Sequence, residues 1–164
     1  MKTLKELTWE HHKEAERQGF VKILMSGKIH PEVYANYLFN QHQCYNILEP
    51  LAMAEGLLDK FPFIRRAPAI KADFDELWTY AHQPMMMEST RKYVDYANKE
   101  LMDCPEKIMA HIYVRHMGDL SGGQMIKRKV PGLGKYYEFK FNKNPEHGIT
   151  YKDTNEIKDA LRLA

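Results

Sequence analysis

Apolar side chains recur along this chain at steps of three and four residues, the spacing of one helix face. Leu4, Leu7 and His11 begin the first stripe behind Thr3-x-x-Glu6, a capping box in which hydroxyl and carboxylate each satisfy an orphan backbone N–H. The pattern predicts a helix to about Gln18 that stops near Gly19, then a short helix over 20–26 closed by Gly27. Pro31 suits the first turn of the next helix, where Tyr34, Tyr37 or Leu38, Gln41, Cys44 or Tyr45, Leu48, and Leu51 or Ala52 keep the spacing. Pro50 falls inside that stripe and, lacking an N–H, is expected to kink or break it. Helical patterns also cover 62–80, with Pro68 near the start, and 87–102.

Asp103-x-x-Glu106, with Pro105 between, opens a further helix that Pro131-Gly132-Leu133-Gly134 ends. Residues 136–141 alternate and read as an extended piece too isolated to define a sheet. Asp153-x-x-Glu156 opens a last helix that the chain leaves unfinished at Ala164. No repeat, low-complexity segment or linker interrupts the pattern. The expected architecture is a single all-α domain over 1–164.

The helix after Pro105 is unusual because Gly118, Gly122 and Gly123 lie inside it, at a cost of roughly 2–3 kcal/mol relative to alanine. Such a helix needs a reason to be bare, and close approach of something bulky to its backbone is one. Arg115, Gly118, Asp119 and Gly122 share one face. A backbone floor flanked by an acid and a base suggests a cofactor site.

Composition narrows the alternatives. The 164 residues carry a formal net charge of only +2, too little for a blanket nucleic-acid surface. Lys127-Arg128-Lys129 with Lys135 reads either as a solvated helix end suited to the helix dipole or as a site for an anionic partner. Cys44 and Cys104 form no CxxC and no metal-ligand spacing. With no signal peptide ahead of Leu4 and no apolar run of spanning length, a soluble cytoplasmic protein without a membrane anchor is expected. The 10 Tyr and 10 Met supply polarizable bulk for an apolar pocket, although most serve an ordinary core.

Three motif readings fail on spacing. Leu120-Ser121-Gly122-Gly123-Gln124 spells the LSGGQ of ATP-binding cassettes, but the GxxxxGK[ST] loop it must accompany is absent. HExxH does not occur, and no glutamate has histidine three residues on, which removes the helical zinc-hydrolase and di-iron signatures. The first helix keeps two readings. Lys5, Thr8, His12 and Glu16 share a face, so His12 is either an axial ligand whose second nitrogen is held by Glu16 or an exposed histidine in an ordinary i,i+4 pair. Periodicity does not choose between His12 and His11. His111, four residues before Arg115, reads as a satisfied structural histidine, whereas His30, His42, His82, His116 and His147 show no convincing partner.

Two blocks together resemble heme oxygenase: Leu4-Lys5-Glu6 through His12-Lys13-Glu14-Ala15-Glu16, and Ala110 through Gln124 with its Arg115-His116-Met117-Gly118-Asp119 core. The region between matches more weakly, at Phe20, Gly27, Tyr45, Glu49, Tyr93 and Pro105. The resemblance implies an all-α, heme-oxygenase-like helical bundle. It implies His12 as the proximal iron ligand held by Glu16, with Gly118 and Gly122 where the distal helix crosses the iron. Asp119 would hold a distal water network joined by Arg115, Tyr45 and Tyr93, and Lys5, Tyr113, Lys158 and Arg162 would face the heme propionates. The implied reaction takes heme b and O2 to biliverdin, carbon monoxide and ferrous iron. Electrons would come from an external donor, a ferredoxin or a reductase, with Lys13, Lys22, Lys127 and Arg128 as docking charges; a bilin reductase would act downstream.

Three features depart from the family pattern. His116 stands where an aromatic residue is frequent, Pro50 interrupts a helix that usually runs on, and the helix that normally follows Arg162 and closes the bundle is not in the chain. A non-enzymatic heme carrier or sensor on the same scaffold is the competing function. Asp119 and the glycine run favour the enzyme, because a carrier has no need to manage protons at the distal side.

Overall fold

Thr3 closes the expected capping box at the start of α1 (Leu4–Glu16). Its hydroxyl oxygen accepts the Glu6 N–H at 3.3 Å, and the Glu6 carboxylate accepts the Thr3 N–H at 2.7 Å. The computed structural model describes residues 2–61, 63–139 and 154–164, and among them every regular element is helical. α1 buries none of its residues, so Leu4 and Leu7 stay exposed. Gly19 does not terminate a helix but opens α2 (Gly19–Met25); Gly27 follows at φ +74°, the left-handed conformation that ends a helix cheaply only for glycine.

α3 (Pro31–Ala54) begins as expected, with Pro31 in its first turn and the His30 Nδ1 accepting the Glu32 N–H at 3.3 Å. It buries Tyr34, Leu38, Tyr45, Leu48 and Ala52 along one side. Pro50 does not end it. The proline is on the exposed side, as is Asn46, whose carbonyl it leaves without a helical donor and which water can serve instead. Leu48, Glu49 and Ala52 are buried on the other side, and their packing offsets an internal-proline cost of about 3 kcal/mol.

α4 (Ala67–Leu77) starts well after residue 62 because a carboxylate from another helix fixes its beginning. Glu49 of α3 accepts the backbone N–H of Arg66 and, at 3.1 Å, that of Ala67. A buried negative charge thus sits at the positive end of the α4 dipole. α5 (Glu88–Tyr96) runs into a π-helical turn, Ala97–Leu101, both of whose ends are buried. Asp103 is not the cap expected of it. It adopts φ +59°, Cys104 takes the cap position, and α6 (Pro105–Ser121) starts on the proline.

After Gly122 the chain forms α7 (Gly123–Ile126), so the glycine-bearing helix is divided rather than continuous to Val130. Residues 135–137 are not extended: the Asp73 carboxylate accepts the N–H of Lys135 at 2.9 Å and of Tyr136 at 2.7 Å, which holds them in a 3-10 turn, Lys135–Tyr137. Glu138, next in that expected extended piece, does take extended backbone, and 140–141 lie outside the described residues. α8 (Thr154–Leu163) buries Ile157 and Leu161 and packs on α6; Asp153, read as part of its start, also lies outside the described residues. One apolar cluster joins Leu48, Ala52, Ile64, Leu101, Ile108, Ile112, Leu120 and Ile157, and a second joins Leu24, Tyr34, Leu38, Tyr45, Ile70, Tyr136 and Tyr137. α3 contributes to both. Among the described residues no helix is long and apolar enough to cross a membrane, and Cys44 and Cys104 are free thiols.

Candidate functional site

Three helices bring four of the expected residues together. Tyr45 of α3 donates its hydroxyl to Asp119 Oδ2 on α6 at 2.5 Å, and both residues are buried. One turn earlier on α6, the Arg115 guanidinium lies 4.4 Å from the ring centre of Tyr93 and 5.4 Å from that of Tyr45. It also donates to Gln41 Oε1 at 3.3 Å. Tyr93 of α5 shares a hydrogen bond with His111 Nδ1 at 3.1 Å, so His111 is satisfied within the structure, as its position suggested.

Burial dominates the electrostatics of this cluster. The Asp119 carboxyl is pushed up to about 6 by loss of water, against the opposing pull of His116, of bonds from Tyr45 and Tyr136, and of Arg66. Tyr45 is raised well above the ordinary tyrosine value, first by burial and then by the negative charge of Asp119. Asp119 therefore changes protonation near neutrality, while its tyrosine neighbours stay protonated donors.

Beside this cluster the α6 backbone is bare. A Cβ built on Gly118 meets no heavy atom within 4 Å, and one on Gly122 meets only the Gly118 carbonyl oxygen, at 3.7 Å. That open face is where a planar group could lie against main chain. Gly123 has a different cause, which the sequence reading missed: a Cβ there would sit 2.5 Å from the Tyr137 ring. Gln124 continues that internal role, its Nε2 donating to the carbonyls of Tyr137 at 3.0 Å and Asp119 at 3.3 Å.

His12 pairs with Glu16 on α1, Nε2 to Oε1, at 3.0 Å, with side chains 58% and 62% exposed. The Trp9 ring stacks on the imidazole at 5.8 Å between centres. Glu16 thus holds the exposed imidazole at Nε2, so a metal would meet the ring at Nδ1 or in place of that bond. The ring's contacts with Glu16 and Trp9 both lie within α1, apart from the Asp119 cluster. Lys5 is exposed on the same helix, and Tyr113 of α6 is half-buried against the apolar core. On α8, Lys158 is half-buried and Arg162 is exposed, its guanidinium donating to Asp159 at 2.5 Å.

Other histidines assigned no partner have one. His116 is wholly buried, its Nδ1 3.0 Å from the Ile112 carbonyl and its Nε2 3.1 Å from Glu49 Oε1. The Tyr45 ring meets it edge-on at 5.2 Å. His82 Nε2 lies 3.0 Å from Glu32 Oε1, and His30 caps α3. The signal for the Glu49–His116 pair was present in the pattern: a carboxylate among Tyr45, Leu48 and Ala52, and an imidazole one turn past Ile112, both on buried stripes.

The family model described as heme oxygenase matches residues 1–160. Mouse heme oxygenase 2 is 31% identical over 168 residues, covering 91% of this chain and 52% of its own length. The heme oxygenase of Porphyra purpurea is 28% identical over 169 residues, covering 95% and 66%. The chain thus spans between about half and two thirds of the length of these relatives. Among solved structures, heme oxygenase from Leptospira interrogans superposes with a TM-score of 0.79 at 30% identity, covering 98% of this chain and 81% of that one. Heme oxygenase-1 of the cyanobacterium Synechocystis, solved in complex with heme, gives 0.78 at 26% identity, covering 98% and 75%.

Proposed function

Because this chain belongs to the heme oxygenase family, we propose that it cleaves heme b to biliverdin, carbon monoxide and ferrous iron, using O2 and electrons from an external ferredoxin or reductase in the cytoplasm. The observation that carries this reading is a buried Asp119–Tyr45 pair directly beside bare helix backbone at Gly118. A ligand lying on that backbone would bring its reacting face within reach of a carboxylate that exchanges protons near neutrality. Bound heme supplies the iron at which dioxygen is activated and the ring that is opened.

The residues fit such a substrate. His12, exposed and held through Glu16, would bind the iron, and a neutral imidazole gives the iron less electron push than a thiolate does. Gly118 and Gly122 would let the ring approach α6 without side-chain collision. Asp119, already bonded to Tyr45, would hold ordered water rather than touch the reacting atoms directly. Arg115, packed between Tyr93 and Tyr45, would fix the orientation of that pair. Lys5, Tyr113, Lys158 and Arg162 would face the propionates, Lys13, Lys22, Lys127 and Arg128 would meet an acidic electron donor, and a bilin reductase would take the product.

The test is a heme titration followed by turnover. Titration should give a Soret band that saturates at one heme per chain. With a reductant system and oxygen, that band should disappear as bilin absorption grows. A heme spectrum that persists through the reaction and merely returns to its ferric form would favour a carrier or sensor and overturn the enzymatic reading.

A further inference from the structure

Tyr136 carries its hydroxyl into a buried site among other tyrosines. It donates to the Tyr45 hydroxyl at 3.4 Å, and Tyr45 donates to Asp119 at 2.5 Å. An ionised carboxylate only accepts, so Tyr45 must spend its proton on Asp119 and offer its oxygen to Tyr136. The chain therefore has one direction, from Tyr136 through Tyr45 to Asp119. A hydroxyl that accepts a bond becomes a better donor, so each link strengthens the next.

The Tyr136 position is fixed from two sides, by Asp73 and Arg66 and by Tyr137, which the glycine run seats. Asp73 accepts its backbone N–H at 2.7 Å, and the buried Arg66 donates Nη1 to its carbonyl at 3.1 Å. The Tyr137 ring stacks on it at 4.1 Å between centres and is itself seated on Gly123 and tied by Gln124. The second half of the LSGGQ stretch thus serves to hold Tyr136 against Tyr45.

We propose that Tyr136 is a positioning residue for Asp119, its hydroxyl acting both through Tyr45 and on the carboxyl itself to keep that carboxylate in its hydrogen-bond-accepting form. The consequence for turnover rests on the heme oxygenase reading; the hydrogen-bond relation itself does not. The other charged or titratable groups around Asp119 are Arg115 and His116 on its own helix, Tyr34, Tyr37 and Tyr45 of α3, Arg66 ahead of α4, and Tyr137. Tyr136→Phe removes one hydroxyl and leaves all of these in place.

The heme-free protein, labelled with 13C at aspartate carboxyl carbons, gives the readout. The Asp119 signal is assigned by its loss in Asp119→Asn, and its midpoint is followed against pH. Tyr136→Phe should raise that midpoint by roughly half a unit, and Tyr45→Phe by about one unit. Replacement of Tyr136 by 3-fluorotyrosine, a stronger donor of the same shape, should lower it and covers the case in which the phenylalanine variant does not fold. A midpoint that ignores the hydroxyl at 136 in the folded variants would overturn the proposal and reduce Tyr136 to packing. A wild-type protein that fails to cleave heme yet shows these shifts would overturn the enzymatic reading and uphold this one.

Discussion

Asp119→Asn should make the heme-free protein more stable, and increasingly so as pH rises. In the fold this carboxyl titrates at about 6, against an ordinary value of 3.8, chiefly because it is buried. The folded protein therefore keeps its proton up to about pH 6, whereas the unfolded chain releases it near 4. Between those values the native state binds more protons, so native stability contributed by this group falls as pH rises and is fully lost above about pH 7. A difference of about two units amounts to about 3 kcal/mol. The attractions of His116, Arg66 and the tyrosines for the charged form are already contained in that net value.

Asparagine has no charge to bury and keeps a carbonyl oxygen for the Tyr45 hydroxyl. The stability gap between variant and wild type should widen by about 3 kcal/mol from pH 4 to pH 8, or roughly 6–12 °C in melting temperature for a chain of this size. Paired urea or thermal unfolding at several pH values reads the gap directly, and the other carboxyls cancel because both proteins carry them. A gap that stays flat with pH would show Asp119 ionised at its ordinary value in the fold. A gap that narrows with rising pH would show partners outweighing burial, and either result refutes the reasoning.

Gly123→Ala should cost about 1–3 kcal/mol, because its methyl group would meet the Tyr137 ring. Gly118→Ala should cost nothing in the heme-free protein, and gain up to about 1 kcal/mol of helix propensity, while weakening heme binding in a titration. Glu49→Ala should destabilise by about 3–5 kcal/mol in unfolding experiments, since it strands buried His116 and the N–H groups of Arg66 and Ala67. His12→Ala should abolish the five-coordinate histidine spectrum of added heme while moving stability by less than about 1 kcal/mol, as an exposed pair on α1 contributes little.

Helix starts were legible because their cues are local. Thr3 with Glu6, Pro31 and Pro105 act within a turn of their own backbone, and all three open helices where the pattern placed them. The failures came where a distant residue decides. At Pro50 the stripe of Leu48 and Ala52 was legible, but not that their packing with Glu49 would carry the helix on to Ala54. The alternation at 136–141 reads as an extended piece, but at its start Asp73, on another helix, gathers two consecutive N–H groups and turns the chain over 135–137. His116 looked solitary because its partner, Glu49, is on α3. Within the candidate site the same division holds: Arg115 and Asp119 share a face by spacing alone, whereas Tyr45 and Tyr93 joined them through family resemblance, and Tyr136 through neither.

The glycine run shows why one motif can have two physical causes. Gly118 and Gly122 are four residues apart and present bare backbone on one face, so their requirement concerns what lies outside the chain. Gly123 is one step, or about 100°, further round the helix. That rotation turns its missing side chain inward, onto Tyr137. A reader of the sequence has only the three letters and assigns them a single purpose. The two purposes are nevertheless linked mechanically, since the inward glycine seats the tyrosine pair whose hydroxyl reaches Tyr45, and Tyr45 in turn bonds the acid beside the outward glycines. Damage at Gly123 should therefore reach Asp119 through packing alone, with the open face at Gly118 left intact.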